Sequence, residues 1–113
     1  MRNFETRFLD EAEAFISKLD PKVIRKIFYN IDRAEQLNDP KILKKLQSDI
    51  WEFRTQYLGL QIRLLAFWDK SDNKSTLVIA THGFIKKADK VPQNEIERAV
   101  RIKDNYLKSR NKK

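Results

Sequence analysis

The sequence predicts an α+β fold: a small, twisted, antiparallel or mixed sheet with two N-terminal helices packed on one face and a C-terminal helix. Apolar side chains recur at helical spacing over residues 9–37, alternate as in strands over 50–84, and return to helical spacing over 92–107. We expect the helices on one face of the sheet. The 113 residues, 41% of them hydrophobic, suffice for one core, so residues 1–113 are expected to form a single domain.

The first third of the chain predicts a strand and two helices. Asn3–Phe8 is the strand, and Leu9–Leu19 is the first helix. Asp20 and Pro21 predict the start of the second helix, because aspartate caps free N–H groups and proline fits the first helical position. That helix is expected to run to about Leu37, with an apolar stripe of Val23, Ile24, Ile27, Phe28, Ile31 and Ala34.

The segment between the second predicted helix and the strand at Ile50–Tyr57 is predicted from the spacing of its apolar residues. Asn38-Asp39-Pro40 ends the second helix. Ile42, Leu43 and Leu46 then lie at helical spacing, so we expect a short helical turn packed under the sheet.

The second half predicts an antiparallel meander followed by a helix. Trp51, Phe53, Thr55 and Tyr57 alternate with polar residues, which is typical of a half-buried strand. The predicted elements in order are a strand at Ile50–Tyr57, a hairpin turn at 58–60, a more apolar central strand at Gln61–Trp68, a turn at Ser71–Lys74, a strand at Ser75–Phe84 and a helix at Pro92–Leu107.

Positive charge is concentrated in the last quarter of a chain whose formal net charge is +8. Residues 84–113 hold 10 basic and 4 acidic side chains, whereas residues 1–83 hold 14 and 12. Clustered lysine and arginine favour a nucleic acid or another acidic partner. The alternative is a soluble basic protein with a lysine-rich tail, since residues 108–113 are basic and expected to fray.

The composition also excludes several kinds of chemistry. The chain has no cysteine, which rules out disulfides, thiolate catalysis and zinc fingers, and its single histidine argues against a transition-metal site. We therefore expect no metal and no cofactor. No apolar run approaches the roughly 20 residues of a membrane span, so no membrane partner and a cytoplasmic location are expected.

Cationic side chains on the predicted strands form the candidate site. Arg54 points away from the apolar face of its strand, and Arg63 lies on the next strand across a tight turn. Two arginines on paired strands can hold a phosphate bidentately, together with Lys86, Lys87 and Lys90 beyond the last strand. Alternatively, Arg54 pairs with a carboxylate such as Glu52, Arg63 caps a core edge, and the lysines are solvated.

His82 is the natural candidate for general acid or base catalysis, because histidine titrates near neutrality. A lone histidine at a strand end is more often structural. Tyr57, Trp51 and Trp68 could stack on bases, although their alternation favours the core for both tryptophans.

These residues resemble a known family. The run I-W-E-F-R at 50–54, R-L-L-A-F at 63–67 and H-G-F-I-K-K-A-D-K-V-P-Q-N-E-I-E-R-A at 82–99 are similar to the RelE/ParE toxin superfamily, most of all to its HigB-like, phage-derived branch. The resemblance extends over the whole chain. Val91 departs from it, because the family commonly has threonine before the proline.

The resemblance implies the toxin of a type II toxin–antitoxin system, a metal-independent, ribosome-dependent mRNA endonuclease that inhibits translation and growth. Its implied partners are a cognate antitoxin, expected to be a small helix-turn-helix protein, the ribosome and mRNA. Arg54 and Arg63 match the sheet arginines of the family, and Lys86 and Lys87 its basic position after the last strand.

Some expectations at the site stay open. Lys90, Tyr57 and Arg98 are expected to bind RNA, while Tyr106 is only a weak counterpart of a tyrosine that some members carry. The alternatives are a ParE-like gyrase inhibitor and a basic nucleic-acid-binding module without catalysis.

Overall fold

The molecule is built on one β-sheet, with helices packed against it. The computed structural model describes residues 3–37, 39–70, 77–87 and 89–111, with the backbone alone described at 77–79 and 110–111. The elements in chain order are β1 (Glu5–Phe8), α1 (Asp10–Ser17), α2 (Pro21–Gln36), β2 (Leu43–Lys45), β3 (Trp51–Tyr57), β4 (Leu60–Asp69), β5 (Leu77–Ile85) and α3 (Gln93–Asn111).

The five strands lie in the order β1-β5-β4-β3-β2, which makes the sheet mixed. β1 runs parallel to β5, whereas β2, β3, β4 and β5 pair antiparallel as a meander. The predicted α+β class and the meander are therefore confirmed. The turn expected at Ser71–Lys74 lies outside the described residues.

The helical turn predicted around Ile42, Leu43 and Leu46 is wrong. Leu43 to Lys45 form an edge strand instead, and Lys44 lies opposite Glu52 in the pairing with β3. Three residues are too few for a strand to show its own period, so the pairing with β3 sets the conformation. The lysines also suit an edge, where charged side chains discourage pairing with further strands.

The start of α2 matches the prediction. The Asp20 carboxylate accepts a hydrogen bond from the backbone N–H of Lys22 at 2.8 Å, and Pro21 occupies the first helical position. The hairpin between β3 and β4 turns at Leu58 and Gly59, both with positive φ, of 51° and 79°. Positive φ at both central residues gives the turn the twist that a two-residue hairpin needs.

Helices cover both faces of the sheet, which corrects the expectation of helices on one face. α1 and α2 pack their apolar stripes against Phe53, Ile62 and Leu64, whereas Ile96 and Ala99 of α3 pack on the other side against Leu65 and Phe67. Consecutive residues of a strand point to opposite faces. The side chains that alternate away from the α1/α2 face therefore lie beneath or beside α3.

Candidate functional site

Arg54 and Arg63 are direct cross-strand neighbours, with one carboxylate between them. They are register partners in β3 and β4, so their side chains leave the sheet on the same face. Glu52, two residues before Arg54, places Oε1 3.5 Å from Arg54 Nε and Oε2 3.6 Å from Arg63 Nε. The Glu52 carboxylate thus offsets the repulsion between two guanidinium groups held side by side.

The two arginines differ in exposure. The Arg63 side chain is 3% exposed and donates hydrogen bonds to the Ile62 carbonyl at 3.1 Å and Gln61 Oε1 at 3.0 Å. Burial lowers the pKa of Arg63; Glu52 opposes this shift and Arg54 adds to it. The Arg54 side chain is 34% exposed. Arg54 is therefore the more accessible of the two arginines.

Lysines from two separate segments surround Arg54 in an open groove of about 350 Å³, which we call the cationic groove. Lys44 comes from the edge strand β2, and Lys86 and Lys90 come from the segment after β5. The groove is lined by Lys44, Leu46, Gln47, Glu52, Arg54, Lys86, Asp89, Lys90, Val91 and Ile96. Four cationic side chains against two carboxylates make it a site for an anion with several phosphates.

Local backbone contacts fix the cationic groove. The N–H of Lys86 donates to the Gln61 carbonyl at 2.7 Å, which carries the ladder one residue past β5. The N–H of Arg54 donates to the Ile42 carbonyl at 2.7 Å, which ties the residue before β2 to β3. Lys44 and Lys86 are thus held by the sheet on either side of Arg54.

Two predicted site residues lie outside the cationic groove. Lys87 is exposed but is not among its lining residues. Tyr57 points to the other face of the sheet, where it packs against the core beneath α1 and α2. The structure therefore does not bring Tyr57 together with Arg54.

His82 lies beneath α3 rather than in the cationic groove. The residue is 1% exposed, with Nδ1 3.1 Å from Thr81 Oγ1 and Nε2 2.9 Å from Glu95 Oε1. Burial lowers the pKa of His82, and the hydrogen bond to Glu95 opposes the shift. A ring enclosed in this way has no access to a substrate, so the geometry is that of a structural histidine.

Arg98 and Tyr106 also tie α3 to the rest of the fold. Arg98 is paired with Glu11 of α1. The Tyr106 hydroxyl donates to Asp69 Oδ2 at 2.9 Å, and its ring packs on Phe67. Neither residue lines the cationic groove.

Sequence reasoning missed Lys44 as a member of the site. Because a helical turn was predicted around Leu43, Lys44 was not assigned to the sheet. The signal that could have indicated it was a cationic side chain shortly before an alternating strand. Sequence reasoning named Glu52 only as a partner for Arg54, whereas it contacts both arginines.

Among the described residues, no three acidic or histidine side chains cluster closely enough to hold a metal ion. Within the same part of the chain, no helix has the length and apolar character to cross a membrane.

Comparisons with known proteins show which proteins this chain resembles. The family model for phage-derived Gp49-like proteins matches residues 14–104. A mutant of the toxin RelE from E. coli, in the free state, has a TM-score of 0.62 at 16% identity, covering 89% of this chain and 97% of that chain. A chain of the toxin–antitoxin complex RelBE2 from Mycobacterium tuberculosis has a TM-score of 0.50 at 18% identity, covering 74% and 99%. No curated protein matches. These likenesses confirm the RelE-like fold.

Proposed function

Because the chain belongs to the Gp49-like family of phage-derived proteins and has the RelE fold, we propose that it is the toxin of a type II toxin–antitoxin system that cleaves mRNA on the ribosome. The cationic groove is the observation that carries this proposal. Its four cationic side chains converge from β2, β3 and the segment after β5. A groove of this charge suits a run of phosphates better than a single small anion.

The proposed reaction is attack by the ribose 2′-hydroxyl on the neighbouring phosphorus. The 2′-oxygen forms a bond to phosphorus, the bond to the 5′-oxygen breaks, and the products are a 2′,3′-cyclic phosphate and a 5′-hydroxyl. The 2′-hydroxyl loses a proton and the leaving 5′-oxygen gains one. Negative charge grows on the phosphoryl oxygens in between, and fixed cations stabilise it.

Each side chain has a role in this scheme. Arg54 contacts the scissile phosphate, and Lys44, Lys86 and Lys90 hold the flanking backbone, with Lys87 available to RNA beyond the groove. Arg63 is a positioning residue, because it is buried and reaches Arg54 through Glu52. If the ribosome orders the mRNA, positioning supplies about 7–11 kcal/mol, so few groups are needed.

Proton transfer falls to the groove rather than to His82. Asp89 is the exposed carboxylate that lines it, and Lys86 and Lys90 are the amines that border it. The enclosed His82 ring is assigned no part in the reaction.

The partners of this function are the ribosome and mRNA in the cytoplasm, and a cognate antitoxin expected to be a small helix-turn-helix protein. The likeness to a chain of the RelBE2 toxin–antitoxin complex supports the antitoxin.

Induced expression in growing cells tests the proposal. Primer extension is run on a reporter message and on a matched message without a start codon. We expect cuts on the translated message alone, and at least about a hundredfold fewer with Arg54→Ala. Cuts on both messages, or gyrase-linked DNA breaks without RNA cuts, would refute ribosome-dependent cleavage, and the second result would favour a ParE-like gyrase inhibitor.

A further inference from the structure

The two tryptophans of the chain lie against each other, away from Arg54. Trp51 is on β3 and Trp68 on β4, with ring centroids 5.9 Å apart and planes at 89°. Phe4 packs edge-on against Trp68 at 5.2 Å and anchors it to the core. Both indoles are only half-buried. Each therefore keeps part of its ring surface open to solvent.

The indole pair borders two grooves, an apolar one beside Phe4 and Leu43 and another that is lined by lysines. A groove of about 330 Å³, which we call the tryptophan groove, is lined by Lys45, Asp49, Trp51, Trp68, Lys70 and Lys103. Among the described residues it holds one ion pair, Lys45 with Asp49 at 3.8 Å, whose side chains are 57% and 78% exposed. Three ammonium groups thus face one carboxylate beside two aromatic rings.

From this arrangement we propose that the tryptophan groove binds an unpaired segment of RNA, with a base against the indoles and its phosphates on the lysines. Single-stranded nucleic acid is recognised by aromatic rings for the bases and by ammonium groups for the backbone. An acidic peptide would satisfy the lysines, but it would leave the indole faces without a flat partner. The RNA reading uses both features of the groove.

The edge strand β2 connects the two grooves. Lys44 lines the cationic groove, and its neighbour Lys45 lines the tryptophan groove. Adjacent strand residues point to opposite faces, so the two lysines flank the sheet edge. An RNA strand that crosses β2 would contact both grooves. Whether this RNA is mRNA or ribosomal RNA rests on the proposed function. The binding of RNA to the tryptophan groove does not.

Tryptophan fluorescence reports directly on this groove, because the chain has no tryptophan elsewhere. The probe is a fully 2′-O-methylated hexaadenylate, which the proposed reaction cannot cleave. We expect saturable quenching of the intact protein. Loss of stacking between a base and the indoles is expected to raise the Kd roughly five- to hundredfold. Loss of phosphate contacts also makes the Kd depend less on salt concentration.

The lysine variants decide the location. Lys70→Glu combined with Lys103→Glu is expected to raise the Kd about tenfold or more and to reduce the salt slope. Lys18→Glu combined with Lys22→Glu makes the same charge change on residues that line neither groove, and it should change the Kd much less. An equal effect of both pairs, no quenching by the RNA, or quenching only by a hexaglutamate peptide would overturn the proposal.

Failure of this proposal is distinguishable from failure of the proposed function. A protein that cleaves translated mRNA but whose tryptophans do not respond to the oligonucleotide refutes the tryptophan groove alone. Quenching that obeys the lysine test, in a protein that leaves translated mRNA intact, refutes the cleavage function alone.

Discussion

Two clusters of ionisable side chains border α3, and they differ in how well they are paired. The cationic groove around Arg54 is open, with lysines in excess over carboxylates. The second cluster, which we call the His82 anchor, comprises His82, Glu95, Glu11 and Arg98, and each basic group in it contacts a carboxylate. The difference indicates that unbalanced charge beside open space, rather than charge alone, distinguishes a binding site from a structural contact.

The contrast also exists inside the candidate site itself. Arg63 is nearly as enclosed as His82, with 3% and 1% of each residue exposed. Glu52 is likewise only 3% exposed. The candidate site therefore has a closed inner layer, formed by Arg63 and Glu52, and an outer layer that includes Arg54. Substitutions in the two layers are expected to affect different properties.

The largest effect is expected from the inner layer. Glu52→Gln keeps the shape of the side chain but leaves the buried Arg63 guanidinium without its counter-charge. Removing one partner of a buried ion pair costs about 3–5 kcal/mol, so we expect a loss of that size in the free energy of unfolding. Urea denaturation measures it. Glu97→Gln on the exposed side of α3 is the control. An unchanged urea midpoint for Glu52→Gln would show that Glu52 does not stabilise the buried Arg63.

Next in size is an effect on activity in the outer layer. Arg54→Ala is expected to lower the proposed cleavage of translated mRNA roughly 10²–10³-fold, as when one fixed donor to a transition-state oxyanion is removed. Stability should change by less than about 1 kcal/mol, because the Arg54 side chain is 34% exposed. The control is Arg25→Ala, an exposed arginine of α2. Cleavage by Arg54→Ala at the unsubstituted rate would exclude Arg54 from the reaction.

The sequence predicted the helices, the meander and the face from which Arg54 and Arg63 project, because apolar periodicity reports which side chains leave the solvent. It could not predict that α3 covers part of that face. Alternation along β4 places Arg63 on the opposite face from Ile62 and Leu64, but it does not indicate which element covers Arg63. The burial of Arg63 and His82 is thus a tertiary effect, as is the edge strand that contributes Lys44.

In the His82 anchor, a smaller effect on stability is expected at the centre. His82→Gln removes the contact between Nε2 and Glu95 at 2.9 Å from a buried position. A broken buried hydrogen bond costs about 1–3 kcal/mol in unfolding free energy. Cleavage per folded molecule should not change, since the ring lies away from the cationic groove. A large loss of cleavage by a folded His82→Gln protein would restore a catalytic role to His82.

The pH dependence of stability provides a second test at His82. Burial lowers its pKa in the folded protein below the ordinary 6.5, so just below pH 6.5 the unfolded chain binds the proton more readily. The free energy of unfolding should therefore fall as the pH drops through 6.5 towards the folded-state pKa. The chain has one histidine, so His82→Gln should flatten this part of the curve. The slope of unfolding free energy against pH should differ between the unsubstituted protein and His82→Gln. Equal slopes between pH 5.5 and about 7 would contradict the attribution of this pH dependence to His82.

The smallest effect is expected at the rim of the anchor, where Arg98 meets Glu11. Their side chains are 45% and 49% exposed, and exposed ion pairs contribute about 0.2–1 kcal/mol. A double-mutant cycle of Arg98→Gln and Glu11→Gln should give a coupling energy in that range, reduced by added salt. Neither substitution should alter mRNA cleavage, because both residues lie outside the cationic groove. A loss of cleavage with Arg98→Gln alone would return Arg98 to the proposed RNA-binding surface and extend that surface along α3.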